Sequence, residues 1–260
     1  MPDQTGIQGL HRVEHLMGMP IGVDVRDDGI DPAILDELFD WLRSVDATFS
    51  TYRPDSEISR LNAGTLRRAD AGPHVRAVLD RCETLRHQTG GYFDAHAVIP
   101  GAIDPTGLVK GWSIEHAATL LDCAGARAYA INAGGDVRLR GRPRPDHGWR
   151  VGIQHPLQRD RIAALLELDD GAVATSGAYE RGHHIVTPRT RRSPTGVLSV
   201  TVVGPDLATA DAYATAAFAM GRDGPTWTAT LDGYEAMTIL TDETVLTTRG
   251  FQRAARRRPC

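Results

Sequence analysis

The stretch Ile103-Asp104-Pro105-Thr106-Gly107-Leu108-Val109-Lys110-Gly111-Trp112-Ser113-Ile114-Glu115 reads as a turn that leads into a helix. Gly107 permits backbone conformations and close approaches that other residues resist. After Gly111 the apolar residues recur at helical spacing, which predicts a helix that ends near Asp122. Lys110 would then lie near a helix N-terminus, where free N–H groups and the helix dipole favour an anion. The stretch therefore predicts either a phosphate site or an ordinary junction with a surface lysine.

Composition and charge are those of an ordinary globular protein. The chain has 260 residues, 41% of them hydrophobic and 24% charged, with a formal net charge of −4. That charge gives no general reason to expect nucleic-acid binding. The three cysteines, Cys82, Cys123 and Cys260, are widely spaced and predict neither a disulfide framework nor a zinc site. Because residues 1–19 contain no apolar signal segment and no stretch reaches membrane-span length, we expect a cytoplasmic protein without a membrane segment.

Helices and strands alternate in the predicted elements without the regular spacing of parallel βα units. Alternating apolar residues predict one strand over residues 11–26. The region after residue 128 predicts a short strand that continues, after a bulge or sharp bend, into a second one. Helices are predicted over residues 31–47, 57–62, 74–89 and 208–220, and further strands over 149–154, 162–168, 198–203, 236–240 and 245–248. The pattern favours an α+β fold.

A polar pair interrupts the alanine-rich helix predicted over residues 208–220. Asp211 and Thr215 are four positions apart, so they share one face of the helix. Both carry hard oxygen donors, which suit Mg²⁺. Such a pair is either exposed to solvent or functional, and the sequence leaves both possibilities open.

Aromatic residues next to turn signals are the second group of candidates. Tyr92, Phe93 and Asp94 directly follow a pair of glycines, where a ligand can approach the backbone closely, although a plain helix stop explains the glycines equally well. Tyr52 precedes a loop that contains proline, so its ring is either a stacking surface or part of the core.

Three familiar catalytic or binding patterns are excluded. The segment Ala133-Gly134-Gly135-Asp136 is not a GxGxxG fingerprint and no helix follows it, which argues against a dinucleotide-binding fold. Ser176 lies outside a GxSxG elbow, which argues against a serine hydrolase. The adjacent His183 and His184 point to opposite sides of a strand and lack the partners of a zinc site.

Taken together, the motifs resemble those of the FAD:protein FMN transferase family, the ApbE-type flavin transferases. The resemblance extends from about Glu14 to Gly221, and eight motifs follow the family's order. These motifs are Met17-Gly18, TYRPDSEISRLN (51–62), TGGYFD (89–94), DPTGLVKG (104–111), NAGGDVRLRG (132–141), ATSGAYER (174–181), HHIVTPRT (183–190) and ADAYAT (210–215). The resemblance implies a single α+β domain over residues 1–252, with a mostly antiparallel sheet and packed helices. A basic tail would follow over 253–260.

The resemblance also implies an activity. Members of the family bind FAD and Mg²⁺ and move FMN from FAD to a threonine or serine hydroxyl of an acceptor flavoprotein, with release of AMP. The new bond is a phosphoester. Some members instead hydrolyse FAD to FMN and AMP, so an FAD pyrophosphatase and a non-catalytic FAD-binding protein are the alternatives.

Site residues follow from the matched motifs. The resemblance implies that Mg²⁺ is held by the side chains of Asp211 and Thr215 and by the backbone carbonyl of Gly107. It assigns catalytic roles to Asp211 and to His184, which we expect to activate the acceptor hydroxyl. The residues expected to contact FAD are Met17, Tyr52, Tyr92, Phe93, Asp94, Asp104 and Lys110, with Lys110 near the diphosphate.

The chain departs from the family's pattern at a few positions. Met19 stands where the family usually has threonine, and Ala178 stands where it has aspartate. In the motif that contains His184, Thr187 replaces an aspartate and Arg191 replaces a glycine. The expected metal pair and the Asp104/Lys110 pair are intact, so the departures bear on transfer more than on binding of FAD and Mg²⁺.

Overall fold

A computed structural model describes residues 9–177 and 185–254 of the chain, and it has a mixed antiparallel-sheet and helix architecture. The strands are β1 Leu10–Leu16, β2 Met19–Val25, β3 Tyr129–Ala133, β4 Asp136–Arg140, β5 Trp149–Gln154, β6 Ile162–Leu168, β7 Gly171–Gly177, β8 Val197–Gly204, β9 Glu235–Leu240 and β10 Val245–Thr247. Eight of them form one sheet in the order β1-β2-β3-β4-β7-β8-β9-β10, and each neighbouring pair is antiparallel. β5 and β6 form a separate antiparallel pair. The predicted α+β fold with a mostly antiparallel sheet is confirmed.

Most of the helices pack on one face of this sheet. The helices are α1 Ala33–Phe49, α2 Glu57–Asn62, α3 Pro73–Gln88, α4 Thr106–Cys123, α5 Leu207–Met220, α6 Gly224–Thr228 and α7 Phe251–Ala254. Short 3₁₀ turns occupy Arg68–Asp70 and Gly221–Asp223. Helix α4 begins at Thr106, five residues before the predicted start at Gly111, and in the turn before it the side chain of Asp104 accepts a hydrogen bond from the Thr106 N–H at 3.0 Å. Lys110 therefore lies in the second turn of α4.

The core has two layers of packing on the helical side of the sheet. The inner faces of β2, β3, β7 and β8 pack against α1, α4 and α5. A second cluster joins α1, α2 and α3 to the outer sides of α4 and α5. On the opposite face of the sheet, the β5–β6 pair and α7 cover residues of β7 and β9. Helices α4 and α5 consequently lie in the interior, between the sheet and α3.

Two predictions about strands were wrong in the same way. The strand predicted over residues 11–26 is the β1–β2 hairpin, in which Met17 and Gly18 form a two-residue turn with φ of +51° and +74°. Positive φ at both central residues is typical of a type I′ turn. The predicted bend after β3 is likewise a hairpin to β4, whose turn contains Gly134 and Gly135 with φ of +61° and +104°. A two-residue turn preserves the alternation of apolar residues, so the pattern does not reveal the reversal.

The helices are short or polar in comparison with a membrane span. Within residues 9–177 and 185–254, no helix is both long and apolar enough to cross a bilayer. At the C-terminus, the domain boundary predicted between residues 252 and 253 falls inside α7. Residues 255–260 lie outside the described part of the chain, so the basic tail stays a prediction.

Candidate functional site

A cavity of about 600 Å³ lies where the helical layer meets the ends of several strands. Its walls come from the β1–β2 turn, the end of α1, the loop after α3, the first turns of α4, the end of β7 and one face of α5. The predicted site residues that line it are Met17, Tyr52, Tyr92, Phe93, Asp94, Asp104, Gly107, Lys110, Asp211 and Thr215. His184 lies outside the described residues. The fold thus brings together every predicted site residue that the structure describes.

At one corner of the cavity, Lys110 lies between the buried carboxylate of Asp211, which lines the cavity, and that of Asp136, which does not. The Lys110 ammonium forms an ion pair with Oδ2 of Asp136, and its Nζ lies 3.6 Å from Oδ2 of Asp211. Asp136 is 1% exposed and Asp211 is 4% exposed. The second oxygen of Asp136 accepts a hydrogen bond from the Thr175 N–H at 2.9 Å. This part of the structure thus brings two carboxylates and one ammonium close together.

Asp136 is the member of this corner that the sequence prediction does not include. Its motif, Gly134-Gly135-Asp136, fails the test for a dinucleotide-binding fingerprint, but that test says nothing about a buried aspartate. The signal that could have identified it is an aspartate at the start of a strand, on the face opposite the apolar Val137 and Leu139. Such a carboxylate needs a cationic or hydrogen-bonding partner when it is buried.

Lys110 is also the single lysine of the chain, which carries 28 arginines. A lysine ammonium is a compact charge with three donors, whereas a guanidinium is a planar fork that favours paired contacts with one carboxylate. The corner between Asp136 and Asp211 therefore suits a lysine. The alternative that Lys110 is a surface residue is wrong, since its side chain is 19% exposed.

Asp211 and Thr215 line the same cavity from α5. Alanines surround them and let α5 lie close to β7 and α4. Asp211 is buried and Thr215 is half-buried, with Oγ1 of Thr215 3.3 Å from Oγ of Ser176. The alternative that this pair is exposed is therefore wrong. A carboxylate and a hydroxyl are the kind of oxygen donors that Mg²⁺ takes, and Gly107 lines the cavity with them.

Aromatic side chains line the other parts of the cavity. Phe93 is buried, and its N–H donates to the Thr89 hydroxyl at 2.9 Å. Tyr92 is half-buried, and the guanidinium carbon of Arg189 lies 5.5 Å from the centre of its ring. Tyr52 is 96% exposed, so the interpretation of its ring as part of the core is wrong. A ligand with a flat ring would find stacking surfaces in this region.

Hydrogen bonds fix the turn that leads into α4. The Asn62 side chain donates to the Ile103 carbonyl at 2.9 Å and accepts from the Ile103 N–H at 2.7 Å. The Asp104 N–H donates to the Ala95 carbonyl at 2.7 Å. Asp94 accepts from the His96 N–H at 2.9 Å and lies 3.4 Å from Nε of Arg86. These contacts hold the loops of the cavity wall, and the roles of Asp94 and Asp104 in FAD binding stay predictions.

The departures from the family's pattern have structural counterparts. A Cβ on Gly134 would lie 3.0 Å from Sδ of Met19, so Met19 packs directly against the β3–β4 turn. The hydroxyl of Thr187 donates to the Ala219 carbonyl at 2.9 Å. Arg191 has a φ of +53°, which is the left-handed conformation that glycine adopts most readily. The backbone therefore keeps a conformation suited to glycine where the family has one. Ala178 lies outside the described residues.

Sequence comparison identifies relatives over most of the chain. The profile of the ApbE family matches residues 17–99 and 96–238. The FAD:protein FMN transferase of Vibrio cholerae is 28% identical over 273 residues, a match that covers 80% of this chain and 82% of the relative. The FAD:protein FMN transferase of Rhodobacter capsulatus is 30% identical over 230 residues, a match that covers 84% of this chain and 40% of that relative.

Solved structures share the fold. The flavin transferase ApbE from Vibrio cholerae superposes with a TM-score of 0.83 at 24% identity, over 95% of this chain and 99% of that one. The ApbE protein from Thermotoga maritima superposes with a TM-score of 0.83 at 22% identity, over 96% of this chain and 100% of that one. Since the family profile extends over most of the sequence and the fold agrees, the chain belongs to the ApbE family.

Proposed function

We propose that this protein transfers FMN from FAD to a threonine or serine hydroxyl of an acceptor protein, with release of AMP and with Mg²⁺ as the metal. The observation that carries the proposal is the division of one cavity into two regions. Lys110 and Asp211 line one corner, where Lys110 is also ion-paired with the buried Asp136, and aromatic side chains line other parts. The named relatives are FAD:protein FMN transferases, and this arrangement matches their substrate chemically.

The two regions suit the two parts of FAD. A volume of about 600 Å³ falls in the range of small-molecule sites. The rings of Tyr52, Tyr92 and Phe93 offer apolar faces to the flat ring systems of the nucleotide. The ammonium of Lys110 offers charge-assisted hydrogen bonds to phosphate oxygens.

The transfer forms one phosphorus–oxygen bond and breaks another. The acceptor hydroxyl oxygen attacks the phosphorus of the FMN part, the bond to the AMP oxygen breaks, and the hydroxyl proton passes to a base. We propose His184 as this base and Lys110 as a group that stabilises negative charge on the phosphates. Asp211, Thr215 and the Gly107 carbonyl would hold Mg²⁺, which neutralises charge on the transferred phosphoryl group when it is bound.

Hydrolysis of FAD is the second candidate function, and Thr187 favours it. The family has an aspartate at this position, and here the side chain is a hydroxyl that bonds to the Ala219 carbonyl at the end of α5. A carboxylate that could help to place an acceptor is therefore absent at this position. Water would then take the place of the acceptor hydroxyl, and the products would be FMN and AMP.

The test combines product analysis with a matched pair of variants. The purified protein is incubated with FAD and Mg²⁺, with and without a flavin-acceptor domain. AMP is quantified by chromatography, and the mass of the acceptor is measured by mass spectrometry. We expect the acceptor to gain the mass of FMN in step with AMP release. Asp211→Asn should reduce the rate of FMN transfer at least ~100-fold, because a carboxylate at the phosphoryl-transfer site is lost.

Asp206→Asn is the control for this variant. Asp206 caps the same helix, where its side chain accepts from the Thr209 N–H at 2.8 Å, and it does not line the cavity. Asparagine caps helices as well as aspartate does, so the control should retain transfer. Full activity of Asp211→Asn would refute the metal assignment. Release of AMP without labelling of the acceptor would favour hydrolysis, and intact FAD in every reaction would contradict both enzymatic functions.

A further inference from the structure

We propose that the loop formed by residues 187–192 is a docking surface for the acceptor protein, and that it selects acceptors with acidic side chains beside the hydroxyl that receives FMN. The inference rests on the proposed function, since it names the chemistry of the partner in that reaction. It concerns three arginines of the loop, Arg189, Arg191 and Arg192, to which the scheme above gives no role.

The loop lies at the wall of the cavity. Pro188 lines the cavity, and the guanidinium carbon of Arg189 lies 5.5 Å from the centre of the Tyr92 ring, which lines it too. In the chain, the loop begins three residues after His184, the proposed base. Three residues span at most about 11 Å of extended chain. An acceptor whose hydroxyl reaches that base therefore comes within reach of the loop.

The loop carries a concentrated positive charge. Residues 185–205 contain Arg189, Arg191 and Arg192 and no acidic residue. All three arginines are exposed. Within the part of the chain that the structure describes, none of them forms an ion pair with a carboxylate. Three exposed guanidinium groups without a carboxylate partner of their own attract carboxylates of another molecule.

The backbone of the loop is fixed, in a conformation that suits glycine at Arg191. The φ of Arg191 is +53°, and its N–H donates to the Thr187 carbonyl at 2.7 Å. The Thr187 N–H donates to the Arg192 carbonyl at 2.9 Å, so the loop closes on itself. Since glycine adopts this φ more readily than arginine does, folding alone gives no reason for an exposed arginine here. A role of the side chain in binding accounts for its presence.

Both departures from the family's pattern in this loop change its charge in the same direction. Thr187 stands where the family has an aspartate, and Arg191 stands where it has a glycine. One negative charge is lost and one positive charge is gained. The loop of this chain is therefore more positive by two charges than the family's pattern, which favours a more acidic acceptor.

Protein carboxylates fit this surface better than the phosphates of FAD do. The proposed function places the phosphates beside Lys110, which lines the cavity and whose side chain is 19% exposed, whereas the three arginines are exposed to solvent. A planar guanidinium binds a carboxylate through paired contacts. Charges at the edge of a binding surface mainly raise the rate of encounter with a partner of opposite charge.

The experiment measures association with a non-reactive acceptor in the absence of FAD and Mg²⁺. The probe is a flavin-acceptor domain whose acceptor threonine is replaced by alanine and is flanked by three aspartates, and a second form has asparagines in place of these aspartates. Surface plasmon resonance with the full-length protein gives association and dissociation rates. We expect the acidic form to associate about tenfold faster than the neutral form at low salt. The difference should shrink between about 50 mM and about 300 mM NaCl, because salt screens exposed charges.

Variants of the loop test whether the arginines cause this preference. The triple variant Arg189→Gln/Arg191→Gln/Arg192→Gln should associate with the acidic form about tenfold more slowly than the wild type and no faster than with the neutral form. Arg191→Gln and Arg191→Gly should each show a smaller, equal loss. Arg191→Gly should also unfold at a temperature at least as high as the wild type, because glycine relieves the backbone at this φ.

Arg253→Gln is the matched control. Arg253 is an exposed arginine of α7, the helix that packs on the opposite face of the sheet. Its removal changes the net charge of the protein as Arg191→Gln does, but at a place remote from the cavity wall. Arg253→Gln should therefore keep the association rates of the wild type. An equal loss in Arg253→Gln and Arg191→Gln would mean that only net charge matters, and this would overturn the inference.

The other outcomes are also decisive. The inference is overturned if the wild type associates equally with both forms or with neither, or if the triple variant keeps the preference and only loses stability. A loss of FAD affinity in the triple variant, with acceptor association unchanged, would assign the arginines to the nucleotide instead. A preference for the acidic form in a protein that transfers no FMN would support the docking surface while the proposed function fails, and transfer without the preference would do the reverse.

Discussion

At the scale of single residues, Tyr52 combines high solvent exposure with a place in the cavity wall. It is 96% exposed, yet it belongs to the wall of the cavity. A side chain contributes to the free energy of folding mainly through the apolar surface that it buries. A ring with so little burial contributes little to stability, so a role in binding a flat ligand accounts better for its position.

Replacement of this ring should therefore affect binding and leave folding unchanged. We expect Tyr52→Ala to weaken FAD binding by roughly tenfold, because stacking of one ring on a base is worth ~1–3 kcal/mol. Tyr52→Phe keeps the stacking face and should bind FAD like the wild type. Fluorescence titration with FAD measures the affinity, and thermal unfolding should give the same midpoint for all three proteins. Wild-type affinity in Tyr52→Ala would show that the ring does not contact the flavin nucleotide.

Prediction from sequence succeeds at this scale where residues share a local motif. Asp211 and Thr215 can be paired because helical spacing places both on one face, and that depends only on their separation along the chain. Asp136 cannot be assigned in this way. Its partners, Lys110 and Thr175, come from a helix and a strand that the chain order does not predict to be its neighbours.

At the scale of elements, the contact between α4 and α5 decides where the charged corner forms. A Cβ built on Gly111 would lie 2.6 Å from the Leu207 carbonyl oxygen and 2.8 Å from Cα of Ala208. The backbones of the two helices therefore approach each other closely at this point. Lys110 is next to Gly111, and Asp211 lies one turn beyond Leu207, so their separation depends on this close approach.

Gly111→Ala should consequently destabilise the protein although alanine is the better helix former. Because the obstructing atoms are backbone, we expect a loss of ~1–3 kcal/mol in the free energy of unfolding, as for other overpacked sites. Gly107→Ala in the same helix is the control, since its Cβ would lie 3.3 Å from the edge of the Phe93 ring, a smaller overlap and one with a side chain instead of backbone. Urea unfolding followed by circular dichroism measures both. Equal stability of the two variants would contradict the role of Gly111 in helix packing.

The elements themselves are predictable to different degrees, for a physical reason. Helices α1, α2, α3 and α5 follow from apolar periodicity and end signals, and the structure has them within about two residues of the predicted bounds. The two hairpins escape prediction because a two-residue turn keeps the side-chain alternation in phase. The order of strands in the sheet depends on long-range pairing, for which a single sequence holds no periodic signal.

At the scale of the whole molecule, the packing of helices on the sheet buries one thiol and two tyrosine hydroxyls in their protonated forms. Burial, and then the charge of Asp104, raises the pKa of the Cys82 thiol to about 12. Burial, and then Asp122, raises the pKa of the Tyr129 hydroxyl, which donates to the Ala118 carbonyl at 3.1 Å. Burial also raises the pKa of Tyr234, which donates to Asp206. In each case the folded protein holds a proton that the unfolded chain releases at lower pH.

These shifts predict a loss of stability in alkaline solution. Since the folded-state pKa of Cys82 lies above the ordinary value of 9.0, its contribution is complete below pH 9.0 and is lost as the pH rises towards 12. We expect the free energy of unfolding, measured with urea between about pH 8 and pH 11, to fall less steeply in Cys82→Ala than in the wild type. Cys123→Ser, which changes an exposed thiol at the end of α4, should keep the wild-type slope. Identical slopes for the wild type and Cys82→Ala would mean that the buried thiol does not contribute to alkaline unfolding, and the tyrosine hydroxyls would then have to account for any fall.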